Sequence, residues 1–230
     1  MFVMKINDTW QRAYSANPIE SLDGETRAPL QTILSTSWTP EERIAYGVYE
    51  VGINPPDEYH RFTGDFDEEE GIPVAVFEEI PLEELKQQVK RQIDEKFYQI
   101  MDQGYQHNFG TEMEPDYGVL QTRRNSEDQT NWLTLKDTCN EAIAAGYGEA
   151  PCLIPIKTED NRKWVLSFNE TAQVLRDMKT WGGYVLGMSW VLKDLLETVS
   201  DIAGLEMVKS LIDNGVTDIE NGLYGWPIHN

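Results

Sequence analysis

Eight apolar residues, Val174, Met178, Trp181, Val185, Met188, Leu192, Leu195 and Val199, follow one another at unbroken alternate steps of four and three. Such a heptad seam specifies a long helix, here expected from an Asn169 cap to about Ser200. It also calls for another helix packed along it at a shallow angle. Leu175, Tyr184, Leu186, Trp190, Val191 and Leu196 lie off the seam, so the helix is apolar over more of its circumference than one interface uses. Two burial partners are therefore expected. Either this is the central helix of a monomeric bundle, or one face packs inside the subunit and the other meets symmetry mates. In the second arrangement the eight seam residues are the candidate interface. Replacing Val185 and Leu192 with lysine is then expected to weaken self-association while leaving a folded protein. Gly182, Gly183 and Gly187 interrupt the same block. Each costs about 1 kcal/mol relative to alanine in a free helix, a cost tolerable where another backbone or a large ring packs against it.

Upstream of that helix the chain divides by composition. Residues 1–80 carry Pro18, Pro29, Pro40, Pro55, Pro56 and Pro73 with five glycines, which forbids long helices and reads as a small, loop-rich, β-containing domain. Strands are expected near 48–53, 74–80 and 1–6, with one helical turn where Thr39 caps and Pro40 takes the first helical position. Gly64–Gly71, GDFDEEEG, reads as a solvated acidic turn, because it lacks the glycine and closing glutamate of an EF-hand loop. Leu82, Leu85, Val89, Ile93, Phe97 and Ile100 recur at helical spacing, giving a linking amphipathic helix over 81–104 that stops at Gly104. Residues 105–230 form the rest. After a tyrosine-rich loop comes a helix opened by a Ser126/Gln129 capping box and closed at Gly146. A hairpin turning at Glu159, Asp160 and Asn161 follows, then the long helix, then a short helix ended by Asn214 and Gly215. The expected class is α+β: a small N-terminal domain, a linking helix, and a C-terminal domain of helices plus a hairpin.

Chemistry is harder to find. With 19 basic against 40 acidic residues, the net charge of -21 repels nucleic acid and favours solubility. Cys139 and Cys152 show no metal spacing and read as buried thiols in a reducing cytoplasm. His60, His107 and His229 lie in unrelated stretches. Neither a signal peptide nor an apolar run long enough to enter a membrane is expected. No nucleophile elbow, phosphate loop or dinucleotide fingerprint occurs, and Gly182 and Gly183 fall inside a helix. Two carboxylates suffice for a glycosidase, so spacing alone leaves that chemistry open. No catalytic, cofactor or metal residue is assigned. Trp132, Trp164, Trp181 and Trp190 read as core, and Trp10 and Trp38 as the better candidates for a partner contact.

The stretch VLQTRRNSEDQTNWLTL, Val119 to Leu135, resembles a segment of phage tail and prophage proteins that have a C-terminal domain of uncharacterised function. The likeness continues through FNETAQVLRDMKTWGGYVLGMSWVLKDLLETV to IENGLYGWP, and more weakly to WTPEERIAYGVYEV and VFEEIPLEELKQQV upstream. Where those proteins often carry an arginine-rich stretch after the first long helix, this chain has DEKFYQI. The resemblance implies a non-enzymatic virion subunit made in the host cytoplasm, at the tail tip, baseplate or tail-fibre attachment. Its partners would be other tail proteins and its own copies, with a homotrimer along a fibre axis preferred. The alternatives are a tail-fibre assembly chaperone absent from the finished particle and, third, a host-glycan-binding protein.

Overall fold

Proline and glycine cut the first eighty residues into short pieces, as their conformational restrictions require. In the computed structural model, which describes residues 1–14, 17–35, 37–122, 126–218, 220 and 222–227, the chain is α+β. The side chains of residues 126–129 also lie outside the description. Two compact units divide at Pro81 and Leu82.

The first unit contains, in order, β1 (Phe2–Ile6), β2 (Thr9–Arg12), β3 (Ile19–Glu20), β4 (Arg27–Ala28), α1 (Leu30–Ile33), α2 (Pro40–Ile44), β5 (Val48–Glu50), β6 (His60–Glu69) and β7 (Ile72–Glu79). Antiparallel pairing gives a sheet of order β2-β1-β5 and separate β3-β4 and β6-β7 ladders. Val3, Ala28, Leu30, Ile33 and Val48 make its core. Thr39 caps α2 as expected, in a reciprocal box with Glu42.

Two expectations change here. The acidic run at Gly64–Gly71 is largely strand: Phe66 to Glu69 pair with β7, and only Glu70 and Gly71 turn the chain, both with positive φ. Backbone pairing sets this strand, so exposed carboxylates on it cost little. Trp10 and Trp38 are half-buried and engaged within the unit. Trp10 donates its indole N–H to Glu68 and stands edge-on to Tyr49, while Trp38 meets Tyr46 and the core.

The second unit runs α3 (Leu82–Gln103), β8 (Tyr105–Asn108), β9 (Tyr117–Leu120), α4 (Ser126–Ala144), β10 (Ile156–Lys157), β11 (Lys163–Trp164), α5 (Phe168–Thr198), α6 (Ile202–Leu211), β12 (Thr217–Asp218) and β13 (Leu223–Tyr224). The helix read as a link is a packed element of this unit. Its Leu85, Val89, Ile93 and Ile100 are buried, α3 packs on α5, and Lys193 of α5 pairs with Asp94. The tyrosine-rich loop contains the β8-β9 hairpin, closed against α3 where Gly104 stops the helix at φ +79°. The expected capping box at Ser126 and Gln129 rests on side chains outside the described residues.

The cap of α5 lies two residues before the expected one. Ser167 and Glu170 form the reciprocal box, while the Asn169 side chain donates to Glu149. α3, α4 and α6 each pack on α5. Val174, Trp181, Val185, Met188, Leu192 and Val199 are buried within the unit, and Met178 and Leu195 are half-buried. Six of the eight seam residues are thus buried within their own chain, and two keep partly exposed side chains.

The C-terminal segment is strapped to α5 and to the end of α6. Tyr184 Oη accepts from the Tyr224 N–H at 2.6 Å, Trp181 Nε1 donates to the Pro227 carbonyl at 3.3 Å, and Trp226 Nε1 donates to the Ile212 carbonyl at 2.8 Å. Cys139 and Cys152 are free thiols in the core between α4 and the β10-β11 hairpin. Burial first, then neighbouring Cys152, pushes the Cys139 thiol up to about 11. It is a packing group at neutral pH, since only a thiolate attacks.

Candidate functional site: a cleft between a helix and a hairpin

The hairpin has just two paired residues on each strand, with an isolated bridge at Pro151 and Ser167 near its base. Pro151 and Pro155 remove backbone donors on either side of the Leu153–Ile154 pair, so the strand cannot run through. Cys152 and Ile156 turn inward and are buried, leaving Leu153 at 88% and Ile154 at 50% exposure. Val165 on the returning segment is 64% exposed and Leu133 on α4 is 58% exposed.

Between α4 and the hairpin lies a cavity of about 390 Å³. Trp132, Leu135, Ile154 and Pro155 give it an apolar floor, with Lys157, Glu159 and Asn161 at the polar margin. Its walls are fixed by hydrogen bonds. Trp132 Nε1 donates to the Gln121 carbonyl at 3.0 Å, and buried Thr158 donates to Asp160 at 2.6 Å.

Arg162 binds the hairpin tip to the β8-β9 ladder. Its guanidinium donates to Asp160 and Asp116 and to the Tyr117 carbonyl, and lies 5.2 Å from the Trp164 ring centre. Hydrogen bonds to Thr158 and then Arg162 hold the Asp160 carboxyl below its usual range. On the inner side Trp164 stacks on Phe109 at 4.5 Å with planes 8° apart. The Trp164 indole N–H is buried and has no acceptor among the described residues.

An apolar floor within a polar rim is the anatomy of a protein-recognition surface, and this volume suits a few inserted side chains. Among the described residues no group of three or more His, Cys, Asp or Glu could hold a metal, and no helix is long and apolar enough to cross a membrane. His60 bonds Asp57 at 2.6 Å in the first unit. His107 sits in the second unit beside Tyr105 and Phe109, where burial lowers its pKa and Asp177 partly offsets that. His229 lies outside the described residues.

Sequence reasoning assigned none of the cleft residues. The usable signal was PCLIP, in which Pro151 and Pro155 bracket two adjacent large apolar residues that no strand ladder takes up. Trp132, Trp164 and Trp181 pack inward as expected, whereas Trp190 is 58% exposed. Comparisons with family models, curated proteins and solved structures return no match for this chain.

Proposed function

We propose that this chain is a structural component of a phage tail, a tail-tip, baseplate or fibre-attachment subunit that works by assembly with other tail proteins and catalyses no reaction. The observation that carries this reading is the open cleft of α4 and the hairpin, lined by the apolar Trp132, Leu135, Ile154 and Pro155, with Ile154 half exposed and Leu153 beside it in sequence exposed. In a chain of net charge -21, large apolar side chains gathered at a cleft favour a partner surface over a solvated one. The cleft also lies within the stretch whose sequence resembles phage tail proteins. Burial of six of the eight seam residues within the chain favours a contact through another surface over a threefold packing along the seam.

The cleft is tested by Leu153→Asp combined with Ile154→Asp. Both side chains are exposed, so the double variant is expected to melt like the parent yet to co-purify with tails at no more than about a tenth of the parental level. A tenfold loss corresponds to about 1.4 kcal/mol of binding, well within what two contact residues supply. Parental incorporation by a folded double variant would remove the cleft from assembly.

A further inference from the structure

The face of α5 opposite its seam presents Arg176, Lys179, Gly183, Leu186, Gly187, Trp190, Asp194 and Glu197. At 100° per residue all eight fall within about 60° of a line through Gly183, and they extend along about 32 Å of helix. Trp190 is 58% exposed and Leu186 37% exposed, and the four charged residues are exposed. A Cβ built on Gly183 or Gly187 meets nothing within 4 Å, so among the described residues nothing uses the closeness these glycines permit. Among the described residues Arg176 bonds back along its helix, to Gln173 Oε1 at 2.9 Å and 3.3 Å. None of the four charged residues is in an ion pair among the described residues.

The order of these residues names the occupant. Read along the helix, the face is basic, then apolar with two glycines, then acidic. We infer that it is the contact surface for a second copy of this chain, with the two α5 helices antiparallel and crossing between Leu186 and Gly187. That register sets Arg176 opposite Glu197 and Lys179 opposite Asp194 of the second copy. It sets Trp190 over Gly183, and Leu186 against Gly187. Each charge meets its opposite twice, once in each half, and each glycine receives a large side chain. A twofold contact of this kind is isologous and closes on itself, so it gives a dimer and no filament. The stripe is itself neutral, two positive charges against two negative, which spares it the repulsion that opposes contact elsewhere between chains of charge -21.

Sedimentation of the full chain over a range of concentrations is expected to show a monomer–dimer equilibrium, weakened by added salt as exposed ion pairs require. Lys179→Asp faces Asp194 with a like charge in both halves and is expected to weaken dimerisation at least fivefold. Asp194→Lys does the same against Lys179. The double variant, with the two charges exchanged, restores the parental constant to within about twofold, which general damage to the fold could not do. Trp190→Ala, at an exposed position, is expected to weaken dimerisation at least tenfold with an unchanged melting temperature. A chain that stays monomeric at every concentration overturns the inference. So does a trimer, or a charge exchange that fails to restore the dimer.

Discussion

Leu192→Lys is expected to unfold the second unit instead of separating copies of an intact one. Leu192 is fully buried on α5, the helix on which α3, α4 and α6 pack. Removing its side chain alone costs on the order of 3 kcal/mol, and a lysine at that place must also be desolvated or forced neutral. The sum, on the order of 4 kcal/mol or more, approaches the lower end of the roughly 5–15 kcal/mol that holds a domain folded. Val185, equally buried, behaves the same way. Loss of the native near-ultraviolet circular dichroism in the absence of denaturant is the expected reading. A variant with native dichroism and weakened association would return the seam to the role of an interface.

The second large effect separates glycines that look alike in sequence. Gly104 ends α3 at φ +79°, and a Cβ there would lie 2.6 Å from the Leu120 carbonyl oxygen and 2.8 Å from Val119 Cγ1. Gly104→Ala combines left-handed strain with a clash against the β9 backbone, so a loss on the order of 3 kcal/mol is expected. Gly183→Ala meets open space in mid-helix and is expected to stabilise the monomer by about 1 kcal/mol. Urea unfolding at low protein concentration compares the two. Equal shifts, or a stabilising Gly104→Ala with a destabilising Gly183→Ala, would contradict the packing described. At higher concentration Gly183→Ala should also weaken the dimer, since the added methyl lies under Trp190 of the second copy.

The long helix was legible because steps of three and four are a local property of the chain. Which surface covers the seam was not, since helices from the same chain and from another copy impose the same periodicity. Only the positions of α3 and α4 decide between them. Trp190 shows the same limit from the other side: its type says inside, while its position two residues from Leu192 places it about 200° around the helix, facing out.

Strands fared worse than helices. Tyr105–Asn108 is half-buried at all four positions, so β8 has no alternation to read. Most of β6 is exposed on both faces, and its acidic run shows only that it is solvated. At the start of α5, Ser167 and Asn169 are both good capping types, and the partner three residues on, Glu170, singles out Ser167. The cleft required structure outright, because Trp132, Leu135 and Ile154 come together only when the hairpin folds back on α4.

Assembly into a tail makes one requirement that folding alone does not: the chain must be in the finished particle. Quantitative mass spectrometry of purified virions tests this most directly. The expected result is a copy number comparable with those of other tail proteins. Its absence from particles whose other tail proteins are detected in full would contradict a structural role and leave that of an assembly chaperone.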